Sequence, residues 1–93
     1  MYVIVAFDIS EESNREVVRR YLRSLGLSMV NRSVYAGVGG QSIAEKISEK
    51  VREIVGERDH VFIILVQESE YLRAIVCTKE YCRRVEDEKF EVI

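Results

Sequence analysis

The chain has 93 residues, of which 47% are hydrophobic and 32% are charged, with five glycines and no proline. This length and balance predict one globular domain over residues 1–93 and exclude a disordered or fibrous chain. The formal net charge of −2 excludes a globally cationic protein, so any affinity for nucleic acid must come from a local patch.

The N-terminal third predicts a strand followed by a helix. Residues 2–7 form a nearly continuous apolar run rich in β-branched and aromatic side chains, which is typical of a strand covered on both faces. Ser13 and Glu16 match a capping box at a helix start, and apolar residues then recur at helical spacing. Gly26 suits the left-handed residue that ends a helix, so we predict a helix over residues 14–25.

The middle of the chain predicts further strands and a second helix. Residues 27–38 are largely apolar but are interrupted by polar residues 31–33, which indicates two short strands joined by a turn or one bent strand. A second capping box joins Ser42 to Glu45, and the apolar spacing after it predicts a helix over residues 43–55.

Residues 61–66 are fully apolar and predict a second central strand. The run is too short to span a bilayer, and the N-terminus lacks the features of a signal peptide. We therefore expect a cytoplasmic protein that does not associate with a membrane. The predicted order is βαββαβ, which is the ferredoxin-like sandwich of the α+β class.

The C-terminal segment allows two interpretations. Apolar residues between positions 71 and 85 fit helical spacing, whereas residues 74–77 and 90–93 each fit an edge strand. Cys77 and Cys82 are too few for a zinc site and are interpreted as reduced structural thiols.

Asp8 is the main candidate for chemistry, because it directly follows the first predicted strand. Its carboxylate would either accept hydrogen bonds from the backbone of the loop over residues 8–12 or act as a hard oxygen ligand for Mg²⁺. If a twofold axis paired two copies of Asp8, one ion between them would polarise a phosphodiester and lower the pKa of its water. The sequence contains no nucleotide-cofactor motif and no pairing of a nucleophile with a base.

Arg15, Arg19 and Arg23 recur every four residues and predict a basic stripe on the face of the first helix opposite its apolar residues. Such a stripe would bind phosphates without sequence preference, and the alternative is an ordinary solvated helix face. Tyr35, in the predicted strand region, is a further candidate for contact with nucleic acid, with packing as its alternative.

Four short motifs occur together in this chain: Val-Ile-Val-Ala-Phe-Asp-Ile-Ser at residues 3–10, Arg15, Leu-Gly-Leu at residues 25–27, and Ser-Val-Tyr-Ala-Gly at residues 33–37. In this combination and spacing, the chain resembles the CRISPR-associated protein 2 family over nearly its whole length. Phe7 stands where many members carry tyrosine, and Met29 stands where some carry arginine.

The resemblance implies a ferredoxin-like protomer with an extra C-terminal strand, a homodimer, and a Mg²⁺ site formed by Asp8 of both chains. It also implies a dimeric scaffold for DNA in CRISPR adaptation, with the spacer-acquisition integrase as partner, and endonuclease activity on RNA or DNA. Arg15 and Tyr35 occupy positions that contribute to function in the family, which favours contact with phosphate groups. The resemblance further favours a strand over residues 73–77.

A different class of function stays open at this point. The chain would be a non-catalytic ferredoxin-like domain for regulation or assembly, in which Asp8 only stabilises a loop. The two classes differ in what a change at Asp8 does to stability.

Overall fold

The computed structural model describes residues 1–87 of the chain. Its elements follow in this order: β1 Tyr2–Asp8, α1 Glu12–Ser24, β2 Ser28–Asn31, β3 Val34–Val38, α2 Gln41–Ile54, β4 His60–Val66, α3 Glu68–Leu72, β5 Ile75–Cys77 and β6 Cys82–Arg84. The predicted order βαββαβ is confirmed for the part of the chain up to β4. Of the two alternatives for residues 27–38, two strands joined by a turn is the one observed.

A four-stranded antiparallel sheet in the order β2-β3-β1-β4 forms the centre of the fold. β1 pairs with β4 from Tyr2 opposite Val66 to Asp8 opposite His60. Its other edge pairs with β3. α1 and α2 each connect two strands that are separated by one other strand, and this split arrangement is ferredoxin-like, as predicted.

α1 and α2 cover one face of the sheet. The other face, which we call the open face, is covered only in part, where the ring of Tyr71 in α3 stacks on that of Tyr2 with centroids 4.5 Å apart. Side chains of β1, β3, α1 and α2 form the core, and its fully buried members include Val3, Val5, Val18, Leu22, Tyr35 and Ile47. On the opposite face, Phe62 and Ile64 of β4 are 61% and 41% exposed. The sequence predicts strands covered on both faces, but the second face is only partly covered in the single chain.

Both long helices begin before the predicted capping boxes. α1 begins at Glu12, with Glu11 as its N-cap, and α2 begins at Gln41, with Gly40 as its N-cap. Neither N-cap residue makes a side-chain capping bond. The Ser-x-x-Glu pattern is short and fits inside a helix equally well, so it locates each helix without defining its first residue.

Two glycines fit requirements of the backbone around the end of α1. Gly26 has a φ angle of 91°, which confirms the predicted left-handed residue there. At Gly37 in β3, a Cβ atom would lie 2.9 Å from the Cα atom of Leu27. A side chain at position 37 would therefore push β3 away from the turn that follows α1.

The segment after β4 forms the short helix α3 and a separate hairpin of β5 and β6. The strand predicted over residues 73–77 is confirmed as β5, and it pairs with β6. Cys77 and Cys82 are opposite each other in this hairpin and form a disulfide, so the prediction of reduced thiols is wrong. The five-residue spacing fits two strands joined by a short loop, which brings the cysteines together. The candidate strand at residues 90–93 lies outside the described residues.

No helix within residues 1–87 combines the length and the apolar character that crossing a membrane requires. The cytoplasmic location predicted from the sequence stays a prediction.

Candidate metal and nucleic-acid sites

Asp8 ends β1 and carries an exposed side chain. Its pairing partner is His60 at the start of β4, and directly opposed residues of two strands point to the same face. Both side chains therefore lie on the open face of the sheet. Within residues 1–87, the Asp8 carboxylate has no hydrogen-bond or ion-pair partner, so it does not accept bonds from the loop over residues 8–12.

Asp59 holds that loop instead. Its Oδ1 accepts hydrogen bonds from the backbone N–H of Ser10 at 3.1 Å and from the Ser10 hydroxyl at 3.3 Å. Its Oδ2 accepts from the backbone N–H of Gly56 at 2.8 Å. The bond from Gly56, followed by that from Ser10, lowers the pKa of Asp59 below its ordinary value. Nothing in the sequence around Asp59 marks it, because Ser10 is 49 residues away.

We expect the change Asp59→Ala to lower the melting temperature by about 4–8 °C, because it leaves two backbone donors without an acceptor. The folded pKa of Asp59 lies below its unfolded value near 3.8, so the charged form stabilises the fold above that pH. This contribution is lost as the pH falls through the folded pKa. Denaturant unfolding should therefore separate wild type from Asp59→Ala at neutral pH, and the difference should shrink only as the pH falls through the lowered pKa of Asp59.

The matched control for this experiment is Asp8→Ala, which removes a carboxylate from the same end of the sheet without removing a hydrogen bond within residues 1–87. Equal unfolding midpoints for wild type and Asp59→Ala at neutral pH would contradict the structural role of Asp59.

A metal ion fits Asp8 only as part of a shared site. Within residues 1–87, no three His, Cys, Asp or Glu side chains are grouped so that they could hold an ion. Mg²⁺ is commonly bound by one or two carboxylates together with waters and substrate phosphates. His60 is the less suitable neighbour, since imidazole prefers transition metals. The exposed Asp8 carboxylate thus fits a site that a second carboxylate would complete.

The three predicted arginines of α1 form a ladder of ion pairs with two glutamates. Arg15 and Arg19 contact Glu12 at 2.6 Å and 2.9 Å. Arg23 contacts Glu16 at 3.1 Å, and Arg19 lies 3.6 Å from the same residue. We call these five residues the charge ladder. Three positive and two negative charges leave a local excess of only one positive charge.

The charge ladder lies beside the strands rather than on the face of α1 opposite the core. Arg19 donates a hydrogen bond to the backbone oxygen of Arg32 at 3.2 Å, and its side chain is only 15% exposed. Arg15 donates to the backbone oxygen of Ile9 at 3.0 Å. The spacing of the stripe is confirmed, but its predicted orientation is wrong, because this flank of α1 packs against the loop after β1 and the turn after β2.

Tyr35 is fully buried in the core. Its ring centroid lies 6.2 Å from that of Phe7, and its hydroxyl accepts a hydrogen bond from Nη1 of Arg23 at 3.0 Å. A buried ring offers no face on which a base could stack. The position of Tyr35 therefore serves packing and the placement of Arg23.

A polar cleft of about 320 Å³ opens beside the charge ladder and is lined by Glu12, Arg15, Arg19, Arg32 and Ser33. The guanidinium group of Arg32 has no partner within residues 1–87. Arg32 lies in a turn, so no helical spacing in the sequence draws attention to it.

Comparison with known proteins identifies the family. The sequence matches the family described as CRISPR associated protein Cas2 over residues 1–74. The chain belongs to the Cas2 family. A relative from Thermofilum pendens, named CRISPR-associated endoribonuclease Cas2, is 53% identical over 92 residues. These residues cover 99% of this chain and 99% of the relative.

Two further relatives of the Cas2 family are informative. A protein from Thermoproteus tenax, named CRISPR-associated endonuclease Cas1/endonuclease Cas2 fusion, is 36% identical over 55 residues, which cover 59% of this chain and 21% of the fusion. The crystal structure of Streptococcus pyogenes Cas2 superimposes with a TM-score of 0.70 at 18% identity, covering 84% of this chain and 100% of that one. The predicted family, its CRISPR function and the predicted fold are therefore confirmed.

Proposed function

We propose that this Cas2 family member acts in CRISPR adaptation as a homodimeric scaffold for nucleic acid and has Mg²⁺-dependent endonuclease activity at Asp8. The observation that carries the proposal is the unpartnered Asp8 carboxylate on the open face of the sheet. Because Asp59 holds the neighbouring loop, Asp8 is available for another task. The endoribonuclease name of the relative that is 53% identical supports RNA as a substrate, with DNA as the second candidate.

The open face of the sheet supports the pairing of two chains. Phe62 and Ile64 expose 61% and 41% of their surface there, beside Ile4 and Ala6 of β1. Covering apolar surface is favourable by about 25 cal/mol per Å², so a second chain would stabilise this face. Asp8 lies on the same face, and a twofold contact would therefore let both chains contribute a carboxylate to one site.

The roles of the residues follow from their positions. Asp8 of each chain would hold the Mg²⁺ ion, which supplies a polarised phosphodiester and a more acidic water when bound. Arg15, Arg19 and Arg23 would bind phosphates of the nucleic-acid backbone, and Tyr35 contributes through its hydrogen bond with Arg23.

The fusion protein of Thermoproteus tenax supports the proposed partner. In that relative, Cas1 and Cas2 are named as parts of one polypeptide. We infer that a separate Cas1 protein, as the spacer-acquisition integrase, is the partner of this chain.

Binding to nucleic acid is tested by replacing Arg15, Arg19 and Arg23 together with Gln. We expect the affinity for a short DNA duplex to fall about tenfold or more, and the dependence of log K on log salt to become shallower by about 2–3 units. Fluorescence anisotropy between about 50 and 200 mM salt measures both quantities.

The control variant replaces Lys46, Lys50 and Arg52 of α2 with Gln, which removes the same formal charge from the other long helix. Circular dichroism establishes that both variants are folded. If the control weakens binding as much as the variant of α1, or if the salt dependence of the latter is unchanged, the arginines of α1 are not the binding surface.

A further inference from the structure

Glu12 occupies the space between two arginines in the way that a phosphate group would. Its Oε2 accepts hydrogen bonds from Nη2 and Nε of Arg15 at 2.6 Å and 3.0 Å, and its Oε1 accepts from Nη1 of Arg19 at 2.9 Å. Two oxygens of one anionic group thus bridge two guanidinium groups. Phosphate oxygens accept the same charge-assisted bonds from arginine.

The two arginines have anchors that do not depend on Glu12. Arg15 is held by the backbone oxygen of Ile9 at 3.0 Å, and Arg19 by the backbone oxygen of Arg32 at 3.2 Å. The Glu12 side chain, in contrast, is 66% exposed. Exposed ion pairs contribute little to stability, so Glu12 can turn into solvent while the guanidinium groups keep their positions.

Further donors line the other side of the cleft. Arg32 and Ser33 face the same space of about 320 Å³. Neither the Arg32 guanidinium nor the Ser33 hydroxyl has a partner within residues 1–87. Arg15, Arg19 and Arg32 against Glu12 leave a charge of +2 at the cleft, whereas the whole chain carries −2. An anion entering the cleft would meet three arginines once Glu12 has left.

We propose that this cleft binds one phosphodiester group of a nucleic acid and that Glu12 is an internal anion which the phosphate displaces. This inference rests on the proposed nucleic-acid function. It adds the site at which one phosphate binds and the residue, Glu12, that competes with the phosphate. Glu12 weakens binding at this position, because every phosphate must replace its ion pairs. A polymer that also contacts neighbouring cations offsets that loss, whereas an isolated monovalent anion does not.

The test compares Glu12→Gln with Glu11→Gln. Both variants lose one negative charge, and Glu11 is the adjacent, exposed residue whose carboxylate has no partner within residues 1–87. With pyrophosphate as the probe, Glu12→Gln should bind about tenfold more tightly than wild type, whereas Glu11→Gln should change binding less than about twofold. Adding Arg32→Gln to Glu12→Gln should reverse most of the gain.

The readout is an NMR titration of the arginine Nε–H resonances, in which those of Arg15 and Arg19 should shift. Equal pyrophosphate affinity of Glu12→Gln and Glu11→Gln would overturn the inference. If the two variants bind pyrophosphate equally while duplex DNA still binds through the arginines of α1, the cleft is excluded and the proposed nucleic-acid function stands. If Glu12→Gln tightens pyrophosphate binding but the wild-type protein ignores DNA, the cleft is an anion site and the proposed function fails.

Discussion

Replacing Asp8 with Asn should reduce Mg²⁺-dependent cleavage of RNA or DNA by at least about 100-fold and leave the melting temperature unchanged. The amide keeps the size of the side chain but is a much poorer ligand for Mg²⁺. Substituting a residue that only hydrogen-bonds to a metal ligand already lowers metal affinity or activity about 10–100-fold, so loss of the ligand itself should cost at least as much. Stability should not change, because no hydrogen bond within residues 1–87 is lost. Cleavage of a labelled oligonucleotide and a thermal melt measure the two quantities.

Glu11→Gln is the matched control for this prediction, since it changes another exposed carboxylate close to Asp8. Undiminished cleavage by Asp8→Asn would exclude Asp8 as the site. A clear loss of melting temperature would instead favour the non-catalytic regulatory or assembly domain, in which Asp8 is structural.

A mixing experiment tests whether two chains share the site. When wild-type and Asp8→Asn chains are unfolded and refolded together in equal amounts, about one quarter of the dimers carry Asp8 on both chains. Activity should then fall to about one quarter of that of the same total amount of wild type. A value near one half would show that each chain works alone.

The change Tyr35→Ala should destabilise the fold by about 3–5 kcal/mol, because it removes a fully buried aromatic side chain from the core. Tyr35→Phe should cost only about 0.5–1.5 kcal/mol, since it keeps the ring and removes the acceptor for Arg23. Urea denaturation at neutral pH measures both changes.

Tyr81→Ala is the control for the loss of an aromatic ring, because Tyr81 is 50% exposed in the loop of the C-terminal hairpin. It should cost much less than Tyr35→Ala. If Tyr35→Ala kept its stability and lost affinity for DNA, Tyr35 would be a direct contact. Weaker DNA binding by Tyr35→Phe at unchanged stability would show that the hydroxyl places Arg23 for binding.

Much of the fold could be predicted from apolar spacing. The runs at residues 2–7 and 61–66 locate β1 and β4, and helical spacing locates α1 and α2. Alternation along β1 also places Asp8 on one face, which the structure shows to be the open face. An apolar run indicates that both faces of a strand are to be covered. It does not indicate whether a helix of the same chain or a second chain covers each face.

The electrostatic part of the site could not be predicted in the same way. Spacing shows that Arg15, Arg19 and Arg23 share one side of α1, but not that this side meets the carbonyl oxygen of Arg32. The role of Asp59 depends on backbone groups that only the folded chain brings together. Glu12 pairs with Arg15 within one turn of α1, but the cleft that it shares with Arg32 and Ser33 exists only in the folded chain. The sequence therefore points to Asp8, whose carboxylate has no partner within residues 1–87, more readily than to Asp59 and Glu12, whose carboxylates are paired.

The disulfide between Cys77 and Cys82 closes a ring inside one hairpin and does not tie that hairpin to the four-stranded sheet. Amides of β1 are flanked by strands on both sides, whereas those of β5 and β6 have only each other. The hairpin can thus lift off as an intact covalent loop while the sheet stays closed. Hydrogen exchange should accordingly occur in two tiers, with the amides of β5 and β6 exchanging through such local openings and those of β1 only when the whole domain unfolds.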